Sequence, residues 1–235
     1  MKLFFFFILL HSALAQDLAS VDAKIRSADF KGAKVELAGK TDFESLWRLS
    51  RIEIFEADKL TDSEAKEAGY GRALELAKKT ILTAPKESHG YLRLANAAGK
   101  IALFKGILEA REYVLIVKEN AEKAIALGTG GAETQAWANF VLGKAHLKLT
   151  DTPAIIRRPL GLGWGTLELA TKYLQKSKEL RPDSILIWAE LAKLAKKKKD
   201  RSSFDAAIAK TRVLPVIEPT DEEGKLTAKS LSFED

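Results

Sequence analysis

Histidine is the side chain best suited to acid–base chemistry near neutral pH, and this sequence contains few. Its three histidines are His11, directly after an N-terminal apolar run, and the widely separated His89 and His146. A catalytic triad needs a histidine bonded to a nucleophile and to an orienting carboxylate, and no G-x-S-x-G nucleophile elbow occurs. Clustered metal ligands such as H-E-x-x-H are also absent. The sequence therefore predicts a protein that is not an enzyme, with no catalytic residue, metal site or cofactor.

Paired carboxylates are frequent, but their surroundings favour a surface location. The pairs fall among lysines on predicted exposed helix faces or near the C terminus: Glu53 with Glu56, Glu64 with Glu67, Glu109 with Glu112, and Glu222 with Glu223. An acid–base pair needs burial that drives the two pKa values apart. The glycine-rich residues 128–131 and 161–165 lack the lysine and Ser/Thr of a phosphate-binding loop. We interpret the carboxylates as solvated charge and the glycines as loop residues.

Ligand contact is predicted for the stretch of residues 150–165. Arg157 and Arg158 are suited to bidentate recognition of a carboxylate or phosphate, and Trp164 could add apolar contact. His146 occupies a position at which a packing aromatic is usual, so a core role and a groove-lining role both stand for it. These four residues are the predicted ligand or partner contacts. The alternative is a tolerated surface loop, because a long insertion costs only modest closure entropy.

Other aromatic and charged groups have simpler interpretations. Trp47, Trp137 and Trp188 each fall in the first helix of a predicted helix pair, where core or groove packing is expected. His89 lies at a predicted helix start, which favours a surface or capping role. The run Lys196–Lys199 ends a helix, where cations interact favourably with the dipole; a docking patch for acidic partners is the alternative.

Composition limits the classes of partner. The 235 residues include 38 Lys and Arg against 32 Asp and Glu, a formal net charge of +6. This excess fits weak attraction to anionic surfaces but falls short of a nucleic-acid-binding signature, so no nucleic acid partner is predicted. The sequence has no cysteine, which excludes disulfides and a cleavage site of the bacterial lipoprotein kind. Stability must therefore come from packing.

The N terminus predicts export. Lys2 precedes the apolar run Leu3–Leu10, and Ala13–Ala15 reads A-x-A before Gln16. This pattern indicates a secretory signal peptide over residues 1–15, and the run is too short to span a membrane. An uncleaved N-terminal anchor is the alternative. We expect a periplasmic or extracellular protein that has no membrane span after cleavage.

The stretch Thr166–Pro182 organises our interpretation of the fold. Ala170, large Leu174 and small Ser177 lie on one face of a predicted helix that Pro182 ends. Small residues there let a partner helix approach, an arrangement typical of the second helix of a tetratricopeptide (TPR) unit. Similar helical periodicity recurs along the chain, and no strand-like alternation holds. The predicted class is all-α: a TPR-like solenoid of antiparallel helix pairs, with about four irregular units and eight or nine helices.

Boundaries follow from glycines, prolines and polar runs. We expect a leading helix and a connector bracketed by Gly32 and Gly39 over residues 16–40, the helical repeat domain over residues 41–215, and a loose polar tail over residues 216–235. Residues 61–71 are interpreted as a polar insertion between helices. The remaining boundary predictions are an N-cap at Asp42, a helix end at Gly99, a helix start at Gly106, and an N-cap at Asp183 or Ser184.

Four runs of the sequence carry a family resemblance. DFESLWRLSRI, GKIALFKGILEAREYVLIVKENAEKAIALG, LGKAHLKL and the A-x-x-Y-L-x-K-S-x-x-L-x-P helix resemble the regulator of microtubule dynamics proteins, over about Asp42–Pro215. The chain is also similar to the T-component proteins of TRAP transporters. The first resemblance implies a TPR-like helical protein. The second implies an exported protein associated with solute-binding proteins. Because export would place the chain outside the cytoplasm, we do not infer a microtubule partner.

Two functions are therefore predicted. The first is an exported, non-catalytic binding or adaptor protein. It would recognise a protein or peptide partner, which could be acidic, or a small ligand, through the concave face of the solenoid. The alternative is an accessory solute-binding component of an uptake system.

Overall fold

The computed structural model describes residues 18–234, and all regular secondary structure in that range is helical, which confirms the all-α class. The predicted signal peptide lies outside these residues. The described part of the chain forms twelve helices: α1 (18–26), α2 (Phe30–Glu36), α3 (Phe43–Lys59), α4 (Ser63–Thr83), α5 (Ser88–Ala102), α6 (Ile107–Leu127), α7 (Gly131–Leu149), α8 (Ala154–Arg157), α9 (Leu167–Leu180), α10 (Ile185–Lys197), α11 (Arg201–Val213) and α12 (Pro219–Lys229).

Four helix pairs form the solenoid. Helix α3 packs on α4, α5 on α6, α7 on α9, and α10 on α11. Successive pairs are joined by the contacts of α4 with α5, α6 with α7, and α9 with α10. Because each pair buries its apolar face against the next, one nearly continuous core runs along the array.

Small residues set the closest helix contacts. Ala73, Ala124 and Ala170 are fully buried. A Cβ atom at Gly143 would lie 2.8 Å from Cγ of Leu174, so α7 and α9 approach too closely there for any larger residue. The expectation for α9 is confirmed: the Thr166 side chain caps it, and Ala170, Leu174 and Ser177 are buried.

The predicted connector before residue 40 is wrong. Residues 30–36 form α2, whose Phe30 and Ala33 pack with Val21 and Ile25 of α1. The Asp29 side chain caps α2 by accepting from the Gly32 N–H. Gly32 fits because a Cβ atom there would lie 2.1 Å from the capping carboxylate, so this glycine belongs to the cap and not to a loop.

The predicted insertion over residues 61–71 is also wrong. Helix α4 begins at Ser63, capped by the Asp62 side chain, and continues through both glycines. Tyr70 is buried, and a Cβ atom at Gly69 would lie 2.7 Å from that of Ala57. Close packing against α3 therefore offsets the low helix propensity of glycine.

The other boundaries are partly as predicted. The Asp42 side chain caps α3 by accepting from the Ser45 N–H. Gly106 is the N-cap residue of α6, but Gly99 lies inside α5. Ser184 is the N-cap residue of α10, yet its side chain makes no capping bond. The first backbone N–H of α10 instead donates a hydrogen bond to a residue far away in the sequence.

That capping group comes from the C-terminal segment, and the predicted loose tail is wrong. Asp221 is fully buried and accepts from the Ile185 N–H at 3.0 Å. It lies on α12, which packs on α10. Pro219 begins this helix because a proline is tolerated at the first helical position. Among the described helices, none combines the length and apolar character needed to cross a membrane.

Candidate functional site

Two of the four predicted contact residues lie together in the core. The ring of His146 stacks on Tyr173 at 5.5 Å between centroids and meets Trp164 edge-on at 4.8 Å. Its Nδ1 accepts from the Thr166 N–H at 3.4 Å. Burial lowers the pKa of His146 to about 4, so the imidazole is neutral at neutral pH. His146 therefore joins α7, the long loop and α9.

The two arginines of that loop differ in their surroundings. The Arg157 guanidinium donates to the carbonyls of Thr152 (3.2 Å) and Leu162 (3.0 Å), which fastens the loop to itself. Arg158 is exposed. Lys197 of the lysine run pairs with Asp151 at the start of the loop. Ligand contact by His146, Arg157, Arg158 and Trp164, and docking by Lys196–Lys199, stay predictions.

A second candidate site is a cleft of about 170 Å³ where α3, α5 and α7 meet. These are the first helices of their pairs, and the first helices are the ones expected to line the concave face of a solenoid. Three arginines line it, and its other walls include aromatic, acidic and small polar residues: Arg48, Arg51, Arg93, Trp47, His89, Trp137, Asp22, Glu133, Thr134 and Gly130.

Two of these arginines are paired within the fold. Arg48 binds Asp22 at 2.7 Å and Glu44 at 2.6 Å. Arg51 binds Glu218 at 2.8 Å and Glu133 at 3.3 Å. Both side chains are less than a tenth exposed, so these carboxylates compensate charges that water cannot reach.

Arg93 is the exception. It is 6% exposed, and it makes no hydrogen bond or ion pair with any residue in 18–234. Burial, and next the charge of nearby Arg51, lower the pKa of Arg93 to about 9, which still leaves the guanidinium charged at neutral pH. The carboxylates of Glu133 and Glu218 act on Arg93 only through their charge, and a buried cation without a directly bonded counter-ion destabilises a fold. Arg93 therefore has donors free for an anion in the cleft.

His89 forms an aromatic wall of the cleft, which corrects its predicted surface role. Its ring stacks on Trp47 at 4.6 Å between centroids and meets Phe43 edge-on at 5.5 Å. Nδ1 is buried without a hydrogen-bond partner. Burial, with a further contribution from the charge of Arg93, lowers the pKa of His89 to about 4, so this wall is neutral at pH 7.

The C-terminal segment binds the same face through two carboxylates. Glu218 is 2% exposed and lies between Arg51 and Arg181, at 2.8 and 2.7 Å. Glu223 approaches Lys100 and Lys144, at 3.6 and 3.7 Å. Burial by itself would raise the pKa of Glu223, but the two lysines outweigh it and hold that pKa below its usual value.

Sequence reasoning missed this site because it selected apolar residues as the buried face of each helix. Arg48 and Arg51 are one turn apart on α3, and Arg93 lies among buried residues of α5. A usable signal was present: cations at positions where the helical periodicity predicts burial. Their acidic partners Asp22, Glu133 and Glu218 come from elements far apart in the sequence, so their pairing could not be predicted.

With the geometry established, comparison with known proteins gives the family. The sequence model of the regulator of microtubule dynamics protein 1-3 family matches residues 31–234. The chain belongs to this family. No curated protein matches the chain at a significant level. The similarity to TRAP T-component proteins stays a prediction.

One solved structure has the same fold as this member of the regulator of microtubule dynamics family. A thermophilic TPR protein of Thermus thermophilus superposes with a TM-score of 0.54 at 18% identity, over 94% of this chain and 93% of that one. The "MamA RS-1 ArsTM double mutant" gives 0.46 at 17% identity, over 92% and 97% of the two chains. The first of these supports a TPR-like helical repeat fold.

Proposed function

We propose that this protein is a non-catalytic adaptor that binds an acidic segment of a partner protein on its concave face. One observation carries the proposal. The first helices α3, α5 and α7, together with Arg181, already bind an acidic segment of the same chain through Glu218 and Glu223. A partner segment whose carboxylates are spaced like Glu218 and Glu223 would bind cations of the same kind, next to α12 and near the open cleft.

Electrostatics supports a partner of this charge. The chain is basic overall, which favours encounter with acidic proteins. Lys144 keeps about a third of its side chain exposed on this face, and its ammonium group lies over the Phe140 ring. Such partly exposed cations add to the association rate and to moderate affinity, both of which decrease as salt is added.

Peptide binding tests the adaptor proposal. Full-length protein is titrated with synthetic peptides of equal length and increasing Glu content, at low and high salt. We expect affinity to rise with acidity and to fall with salt. Lys144→Gln should weaken binding about 2–5-fold, the loss of one partly exposed charge pair. Lys79→Gln, at an exposed site on α4, is the matched control and should bind as wild type.

Two results would contradict this proposal. One is affinity that does not depend on peptide charge. The other is an equal loss of binding in the Lys144→Gln and Lys79→Gln proteins. Circular dichroism and thermal melting of both variants ensure that a loss of binding is not a loss of folding. Because Glu223 keeps Lys100 as a partner, we expect α12 to stay in place in the Lys144→Gln protein.

We further propose that the protein acts outside the cytoplasm. The apolar run Leu3–Leu10 and the A-x-A sequence before Gln16 support this. Intact mass of the protein recovered from its native host tests it. The expected polypeptide begins at Gln16, and a mass that includes residues 1–15 would contradict cleavage.

The size of the cleft favours one alternative, an accessory solute-binding component of an uptake system. A volume of about 170 Å³ suits a small molecule or a single side chain better than a folded partner. Native mass spectrometry of the purified protein separates the two functions. A retained low-mass ligand favours the solute-binding function, and a stoichiometric acidic peptide or protein favours the adaptor.

A further inference from the structure

Arg93 is the starting point of an inference about ligand chemistry, which rests on the proposed function and deepens it. Its side chain is only 6% exposed, it lines the cleft, and its Nε lacks any hydrogen-bond partner. Neighbouring Arg48 and Arg51 each bind two carboxylates. Within residues 18–234, Arg93 binds none.

An unpaired buried guanidinium makes the fold less stable than an apolar residue of similar volume would. Packing cannot explain it, because a methionine would fill the same space without the desolvation cost. A carboxylate arriving from outside would be a directly bonded counter-ion, which Glu133 and Glu218 are not, and it would accept two N–H bonds from the planar guanidinium.

The rest of the cleft indicates the charge and shape of that ligand. Asp22 and Glu133 line the same cleft, and their negative charges oppose a dianion such as phosphate. Trp47, His89 and Trp137 supply aromatic walls for an apolar group next to the acid. The volume of about 170 Å³ admits only a few non-hydrogen atoms.

We infer that this cleft binds a single carboxylate attached to a short apolar group, and that Arg93 is the residue that holds it. Two sources share this chemistry: the C-terminal residue of a peptide and a small carboxylic acid. Thr134, at the cleft wall, offers a hydroxyl for the same oxygen atoms.

Thermal melting of the full-length protein tests the inference. The probes are sodium butyrate against butyramide, and acetyl-Gly-Leu with a free C-terminal acid against its amide. Inorganic phosphate is a further arm, and all samples are matched in ionic strength with sodium chloride. At ten times the dissociation constant, an acid that binds should raise the melting temperature by roughly 3–6 °C, whereas the amides should leave it unchanged.

Two variants assign the effect to Arg93. Arg93→Met removes the charge at similar volume and should abolish the shift, while its melting temperature without probe equals or exceeds that of wild type. Arg212→Met, at an exposed site on α11, is the matched control and should keep the shift. Arg93→Met should therefore remove binding without lowering stability. Loss of an arginine whose role is only structural would lower stability.

Each outcome decides the inference. A shift with butyrate identifies a small acid as sufficient, and a shift with the peptide acid alone identifies a peptide C terminus. No shift in wild type, a shift that persists in Arg93→Met, or a larger shift with phosphate overturns the inference. The adaptor proposal is tested separately, by the charge dependence of peptide binding and by Lys144→Gln, so it stands or fails independently of the thermal shifts that decide this site.

Discussion

At the scale of single residues, burial decides what the histidines can do. His146 has Tyr173 stacked on one face and the edge of its ring against Trp164, so water solvates it poorly. Its pKa of about 4 follows from this burial. The same cause acts on His89 beside Trp47, where the charge of Arg93 adds to it. Neither ring is poised to exchange protons near pH 7.

These pKa values predict a pH dependence of stability. Between pH 6.5 and 4 the unfolded chain binds the histidine protons and the folded chain does not, so stability is complete above about pH 6.5 and is lost as pH falls. By pH 5 we expect a loss on the order of 2 kcal/mol for each histidine. Urea unfolding at pH 7, 6 and 5 measures the loss.

The variant His146→Phe provides the control for this prediction. Phenylalanine keeps an aromatic ring between Tyr173 and Trp164 and cannot be protonated. The loss of stability between pH 7 and 5 should therefore be about half that of wild type, with His89 accounting for the remainder. Equal losses in the two proteins would show that His146 is solvated in solution.

At the scale of elements, glycines mark close helix contacts in this fold as well as helix ends. Gly224 of α12 faces the backbone at the start of α10, where a Cβ atom would lie 2.5 Å from the Leu186 nitrogen. Gly71 of α4 has nothing within 4 Å of the same position. The sequence does not distinguish these two cases, although the structure does.

The pair gives a matched prediction. Gly224→Ala should lower the free energy of unfolding by about 1–3 kcal/mol, because backbone atoms must move to accept the methyl group. Gly71→Ala should raise it by up to about 1 kcal/mol through helix propensity. Urea unfolding of both variants tests this. Equal effects of the two substitutions would show that α12 does not pack closely on α10.

At the scale of the whole molecule, the C-terminal segment connects parts of the array that are far apart in sequence. Glu218 binds Arg51 of α3 and Arg181 at the end of α9. Asp221 caps α10, and Glu223 reaches cations of α5 and α7. A solenoid is usually held by neighbouring contacts alone, so these bonds should make its unfolding more cooperative.

Removing one of these charges tests this connection. Glu218→Gln leaves buried Arg51 and partly buried Arg181 short of a counter-ion and should cost about 3–5 kcal/mol. Glu222→Gln, at an exposed site on the same helix, should change stability by less than about 0.5 kcal/mol. Hydrogen exchange should show faster opening in α3 as well as in α12. Faster exchange confined to α12 would argue against long-range coupling.

The sequence by itself determined the class and the repeat. Ala170, Leu174 and Ser177 at helical spacing, with Pro182 after them, are a local pattern that depends only on the geometry of one helix. Asp42 was predictable for the same reason, because a cap involves residues three apart in sequence. The family resemblance was likewise readable from short runs, and the family match confirms it.

Tertiary structure alone decided the candidate site and the C-terminal segment. The polar residues of α12 led to the prediction of a loose tail. Their buried contacts were not predictable, because Asp221 and Glu218 bind α10, α3 and Arg181, which are far away in sequence. Arg93 was not singled out from the sequence for a related reason. Whether a charge is solvated, paired or left free in a cleft depends on the elements that surround it, and only the packed array brings α3, α5 and α7 together.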